Sequence, residues 1–303
     1  MSLDADRIVD RRRLKRRLTF WRLTAVAALV LAAVAFAGTL DGVAEKDHVA
    51  RLKVEGIILD DTWRDKALAE LAENDRVKAL LIRIDSPGGT VVGGEALYKS
   101  ILAVSKKKPV VAVLGGTAAS AAYMAALGAE RIFTREATVT GSIGVLMQTA
   151  DITGLLKTLG VKPEIIKSRP LKAQPNPLEP MTTEAREAVR SVILDMYALF
   201  VDLVSERRDM SRDRVLTLAD GRIYSGRQAV ANGLVDAIGD EGAARTWLEK
   251  TYKIDASLPL EDVDISHDKE IWRDFIGGTL GKVLFSERLR LDGLLALWQP
   301  NLL

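Results

Sequence analysis

The sequence predicts an α/β fold with a largely parallel sheet, preceded by a single N-terminal transmembrane helix. Three observations carry this expectation. From about residue 50 onward, apolar runs of strand length alternate with segments of helical spacing. Gly- and Pro-containing turns close several of those runs. Ahead of them, an uncharged stretch of eighteen residues, Leu23 to Leu40, follows a basic cluster.

The N-terminal elements come first. Residues 1–22 hold eight basic groups against three acids, a charge of +5 that leaves −3 on the rest of a chain whose total is +2. The run after them has only Thr24 and Thr39 as polar side chains, with Trp21 at its boundary. As a helix it rises about 27 Å, close to the hydrocarbon thickness of a bilayer. Basic residues before such a span predict a cytoplasmic N-terminus and export of the chain beyond residue 40. A cleaved signal peptide is the alternative, because Ala33-Val34-Ala35 and Ala35-Phe36-Ala37 both fit a small-x-small cleavage site. The expected organisation is a basic segment over 1–22, a signal anchor over 23–40, a linker over 41–49, an α/β domain over 50–255 and an amphipathic tail over 256–303.

Within the α/β domain, Arg51 to Ile58 alternates and reads as a strand, and Asp61 to Asn74 has helical spacing through Trp63, Ala67 and Leu71. Val77 to Ile84 reads as a buried strand running into Asp85-Ser86-Pro87-Gly88-Gly89. A helix over Val92 to Val104 and a strand over Pro109 to Leu114 come next. Gly115-Gly116 then leads into a small-residue helix over Ala118 to Leu127, and Arg131 to Thr134 forms a short strand. Thr182 or Thr183 can cap a long helix with Glu184 in its first turn. Its expected core stripe is Ala185, Val189, Ile193, Met196, Phe200 and Leu203. In the tail, Trp272, Ile276, Leu280 and Leu284 recur at helical spacing, though Gly277, Gly278 and Gly281 weaken that helix.

Composition excludes several chemistries. There is no cysteine, so disulfides, thiolate catalysis and Cys-based zinc sites are ruled out. The basic balance belongs to the N-terminus and does not mark a nucleic-acid-binding face. The only histidines are His48, before the predicted core, and His267, beyond it. A Ser-His-Asp triad is therefore a poor fit.

Two segments invite a chemical reading. Asp85 to Gly89 links a strand to a helix, and its glycines let free amides approach developing negative charge, as an oxyanion hole requires. It reads equally as an ordinary β-to-α turn. Ser120 lies in Gly115-Gly116-Thr117-Ala118-Ala119-Ser120-Ala121-Ala122-Tyr123, among side chains that leave it open to a substrate carbonyl. It reads equally as a packing serine in an alanine-rich helix. A nucleophilic serine needs a base within hydrogen-bond reach. A lysine serves only when neutral, and an ordinary amine titrates near 10.4. Lys172, in a Pro-rich irregular segment, is a candidate by position, and by itself reads as a solvated surface lysine.

Taken together, DSPGG, GGTAASAAYMAALGAERI, TGSIGV, KSRPLKAQPNPLEPMT and DGRIYSGRQAVANGLVD resemble the bacterial signal peptide peptidase A family in its short form. The resemblance runs from about residue 50 to 245. It implies a Clp protease/crotonase-like fold and a serine endopeptidase with a Ser/Lys dyad. Ser120 would be the nucleophile and Lys172 the general base, with Ser142 orienting the lysine amine. The amides of Gly89 and Ala121 would form the oxyanion hole. It further implies a ring-like homo-oligomer, remnant signal peptides as substrates, and no metal or organic cofactor. The location would be the bacterial inner membrane, with the peptidase domain periplasmic or extracytoplasmic. Ala121 and Ala122 stand where family members often have glycine, as does Arg169. The alternatives are a crotonase-like acyl-CoA enzyme and a catalytically inactive membrane-tethered scaffold of the same fold.

Overall fold

The computed structural model describes residues 15–30, 32, 46–265 and 295–297. The chain divides into two units, Met1–Lys46 and Asp47–Leu303. In the first, residues 15–30 are helical and exposed. The Thr19 and Thr24 hydroxyls donate back to the carbonyls of Lys15 and Phe20. Among the described residues no helix is long and apolar enough to cross a membrane. The span expected over 23–40 lies only partly within them, since residues 31 and 33–40 fall outside.

The second unit is built on a mixed sheet. Its central strands are β1 (His48–Ile58), β2 (Val77–Thr90) and β3 (Val110–Ala119), all parallel. The helices α1 (Thr62–Glu73) and α2 (Val91–Ser105) form the crossovers between them. Asp61 caps α1 by accepting from the amides of Trp63 and Arg64, and Thr90 caps α2 through the Gly93 amide. Beyond β3 come α3 (Ala121–Ala126), β4 (Arg131–Thr134) and β5 (Val139–Gly141). The lower half of β3 pairs with β4, and its upper half, Thr117–Ala119, pairs with β5. After α4 (Thr153–Thr158) and the long α5 (Thr183–Arg207), α6 spans Arg212–Leu218, β6 Ile223–Ser225 and α7 Gly226–Ala231. The order closes with β7 (Ala237–Ile238), α8 (Glu241–Tyr252), β8 (Leu260–Asp262) and β9 (Leu295–Leu297). Two pairings are antiparallel, β5 with β6 and β2 with β9.

The sheet is buried on both faces because successive side chains along a strand point to opposite sides. Leu80, Ile82 and Ile84 face one core with Leu68, Leu97 and Ile101. Ala79, Leu81, Val111 and Val113 face the other with Ala244 and Leu248 of α8. Each fully buried aliphatic side chain contributes roughly 1.5–3 kcal/mol.

Three expectations need correction. Residues 115–119 are strand, not the start of a helix, because the Thr138 and Thr140 hydroxyls donate to the carbonyls of Gly115 and Ala118 and hold that backbone extended. In α5 only Ala185 and Phe200 of the expected stripe are fully buried. Val201 and Val204 join them, while Val192, Leu194 and Leu199 are exposed. The tail was expected to be helical; residues 295–297 are a strand, and the expected helix over 270–284 lies outside the described residues.

Candidate active site

Ser120 lies between β3 and α3 with φ 57° and ψ −121°. A non-glycine residue held there costs on the order of 1–3 kcal/mol, so the surroundings must over-determine it. They do. Its amide donates to the Gly141 carbonyl at 2.8 Å, and its own carbonyl accepts from the Met124 amide at 2.9 Å. The six residues of α3 are all buried, and the Cβ of Ala121 sits so close to Gly94 that a Cβ there would meet it at 2.8 Å. The result is a sharp strand-to-helix turn with the serine at its apex. Ala121 is the first helical residue, and an amide in that position has no intrahelical acceptor.

Ser142 occupies the matching place on the neighbouring strand. Ala119 pairs with Gly141, and both chains then leave the sheet through a serine with positive φ, 57° at Ser120 and 50° at Ser142. Neighbouring strands lie about 4.8 Å apart. The Ser142 amide donates to the Arg222 carbonyl at 2.8 Å, and the residue is 9% exposed.

Gly89 lies near the end of β2, opposite Ile58 of β1. A Cβ at Gly89 would lie 1.8 Å from the Ile58 carbonyl oxygen, so only glycine lets the strands approach this closely. Sequence reasoning passed over Ser86 in the same turn. Its fully buried hydroxyl donates to the Gly56 carbonyl at 2.5 Å and accepts from the Gly88 amide at 3.1 Å. It ties the glycine turn to the end of β1. Asp85 performs a similar service for β3, its carboxylate accepting from the Thr117 amide at 3.0 Å. The signal for both was the motif itself, whose two polar residues stand directly before the Pro-Gly-Gly turn.

Lys172 is placed differently. It lies on an irregular stretch between α4 and α5, its amide donating to the Arg169 carbonyl at 3.1 Å. Next to it Ala173 has φ 59°. The stretch is braced by the Lys167–Glu179 ion pair, and Asn176 donates both to Glu179 and to the Ala173 carbonyl. The Lys167 ammonium, and then Asn176, hold the Glu179 carboxyl below the usual range. The Lys172 side chain is exposed and makes no hydrogen bond or ion pair among the described residues. One chain thus gathers Ser120, Ser142, Gly89 and Ala121 at one end of the sheet and leaves Lys172 in solvent. No cluster of His, Cys, Asp or Glu able to hold a metal occurs among the described residues.

Residues 103–255 match peptidase family S49. The chain belongs to that family. A Synechocystis protein named as a protease is 36% identical over 235 residues, covering 77% of this chain and 84% of the relative. An Enterococcus faecium protein named as signal peptide peptidase SppA is 33% identical over 237 residues, covering 74% and 69%. The chloroplastic serine protease SPPA of Arabidopsis thaliana is 30% identical over 232 residues, covering 75% of this chain and 34% of its own length. Among solved structures, a ClpP1 variant from Listeria monocytogenes aligns at 21% identity and a TM-score of 0.42, covering 63% of this chain and 91% of its own. Membership of the family makes the chain a serine protease, a hydrolase of peptide bonds.

Proposed function

We propose that the chain is a membrane-anchored endopeptidase in which Ser120 attacks the scissile carbonyl and Lys172 is the base. The observation that carries this reading is the strained turn at Ser120, bonded to Gly141 beside Ser142. Strain of this kind is retained where a side chain has to be aimed. In the mechanism, a neutral Lys172 removes the Ser120 hydroxyl proton as Oγ adds to the carbonyl. The amides of Gly89 and Ala121 hold the oxyanion. Lys172 returns the proton to the leaving amine, and water then releases the acyl group by the same route. Ser142 orients the amine.

A lysine acts as a base near neutral pH only if its charged form is disfavoured by about 4 kcal/mol, equivalent to a downward shift of about three pH units. Exposure in a single chain does not supply that. Burial of the loop by a second copy would, and the surface around it suits such burial. Leu155, Leu159, Val161 and Ile166 are exposed, Ile166 to 93%, and Val192 and Leu194 extend the apolar surface along α5. This supports a homo-oligomer in which the base of one copy serves the serine of the next. The apolar run over 23–40 supports an anchor in the bacterial inner membrane, with the peptidase unit outside the cytoplasm, where remnant signal peptides and similar extended apolar segments are substrates. The domain limits proposed are 23–40 for the anchor and 50–255 for the peptidase.

The test is mixing. Ser120→Ala and Lys172→Ala proteins should each be inactive on a fluorogenic peptide and fold normally. Co-assembled, they should recover up to about a quarter of wild-type turnover, because some interfaces then join an intact serine to an intact lysine. Activity in Ser120→Ala alone would reject the nucleophile. Activity in Lys172→Ala alone would reject the base.

A further inference from the structure

The edge of β2 just beyond the serine turn already holds a strand. β1 lines one side of β2 as far as Gly88 and Gly89, through the pairs Ile57↔Gly88 and Ile58↔Gly89. β3 lines the other side only to the pair Ser86↔Ala118, then diverges to run beside β5 toward Ser120. The divergence leaves the main-chain groups of Gly88, Gly89 and Thr90 without β3. Leu295, Ala296 and Leu297 take that place, antiparallel, opposite Thr90, Gly89 and Gly88 respectively. Since β1 fills the opposite edge, β9 continues the row that β3 vacates, and Ala296 faces the glycine assigned to the oxyanion hole. Ser120 is only 1% exposed with β9 seated, although a nucleophile must meet its substrate.

An extended peptide whose carbonyl is to reach Ser120 while its oxygen approaches Gly89 has to run along this same edge. Adding a strand to an exposed sheet edge is a general mode of peptide recognition, with main-chain hydrogen bonds supplying affinity. We propose that the Gly88–Thr90 edge is the peptide-docking edge of the protease and that the chain's own segment Leu295–Leu297 occupies it as a competing pseudo-substrate. The proposal rests on the assignment of Ser120 and Gly89 above. The seated sequence, Leu-Ala-Leu, is uncharged, with a small residue opposite Gly89, and it describes the class of peptide the edge takes: extended, aliphatic and small at the position facing the glycine.

A tethered segment is present at an effective concentration of about a millimolar. Against a strand affinity in the same range, competition raises the apparent KM about threefold and leaves kcat alone. The full-length protein is compared with Ala296→Pro and Leu297→Pro. Adjacent residues of an antiparallel strand alternate in whether their amides face the partner, so one of these two prolines removes a ladder donor. The expected result is a KM at least about threefold lower in one variant, with unchanged kcat. A synthetic peptide of residues 291–303 should restore the wild-type KM by competitive inhibition. An unchanged KM in both variants, together with no inhibition by the peptide, overturns the proposal while Ser120→Ala remains inactive. Turnover by Ser120→Ala removes the site on which it rests and overturns both readings.

Discussion

Replacing Gly89 by alanine tests the oxyanion assignment through a clash whose size is known. The added Cβ would stand 1.8 Å from the Ile58 carbonyl oxygen and 2.6 Å from its carbonyl carbon. Carbon contacts become favourable only near 3.5 Å, so the strands must part by more than about 1 Å at this point. The obstacle is backbone on β1, pinned at Gly56 by Ser86, and no side chain can swing aside to relieve it. Overpacking of this kind costs about 1–3 kcal/mol of stability. The functional loss should be larger. Displacing one oxyanion donor by about 1 Å forfeits most of its contribution, and removal of such a donor costs about 10²–10³ in kcat. Steady-state kinetics on a fluorogenic peptide, with the rate of fluorophosphonate labelling of Ser120 and a thermal unfolding curve, separate the two effects. The expected variant is folded, slightly less stable, and slower by two orders of magnitude or more in both reactions. A folded Gly89→Ala protein within threefold of wild-type kcat would show that the Gly89 amide holds no developing charge.

Two further predictions concern the scaffold. Asp236 pairs with Arg208 through two hydrogen bonds, of 2.8 and 3.2 Å, and also accepts from the Ile132 amide at 2.7 Å; the Arg208 side chain is mostly buried. Asp236→Ala strands that charge and should cost about 3 kcal/mol. A calorimetric midpoint lowered by less than about 2 °C would refute the expected loss. At the other edge of the sheet, the hydrogen bond from Arg51, and then that from Lys53, holds the Asp262 carboxyl down at about 2. A depressed carboxyl stabilises the fold above its unfolded value near 3.9 and loses that contribution as pH falls toward the folded value. The stability gap between wild type and Asp262→Asn should therefore be constant from pH 5 to 8 and narrow below about pH 4, as read from urea unfolding. A gap that widens between pH 5 and 3 contradicts the assignment.

The order of strands and helices was legible because the buried strands carry their period of two plainly, as in Leu80, Ile82 and Ile84. Residues 115–119 were not. Alanine and glycine there lack a strand signature, and the forces that extend them come from Thr138 and Thr140, more than twenty residues away. That difference changes the picture of Ser120, which stands at the entrance to a helix and not within one. The stripe of α5 had the right spacing, but spacing reveals an apolar face and not what covers it; Val189, Ile193 and Met196 are only half-buried in the single chain. Lys172 is the extreme case. Nothing in its local sequence separates it from any surface lysine, and the fold of one chain leaves it exposed, so its selection came from the family resemblance alone. Ser86 was hidden for the opposite reason. Its importance lies in a bond to Gly56, thirty residues earlier, which no local pattern announces.

The two halves of the proposed catalytic array are held by different physics, and this has a consequence for control. Ser120 and Ser142 leave paired residues on adjacent strands with positive φ, and each conformation costs energy that only a rigid, densely packed sheet end can offset. That half is complete once a single chain folds. The base stands on an irregular loop braced by a surface ion pair, and a solvated lysine is a cation. On the proposed mechanism its neutral form requires a neighbour to exclude water. A lone copy would then hold a fully formed nucleophile turn that nothing deprotonates, with the substrate edge beyond it filled by β9. Activity would follow the concentration of assembled copies, and confinement to a membrane raises that concentration. Proteolysis would thus begin where the copies gather, after folding and not during it.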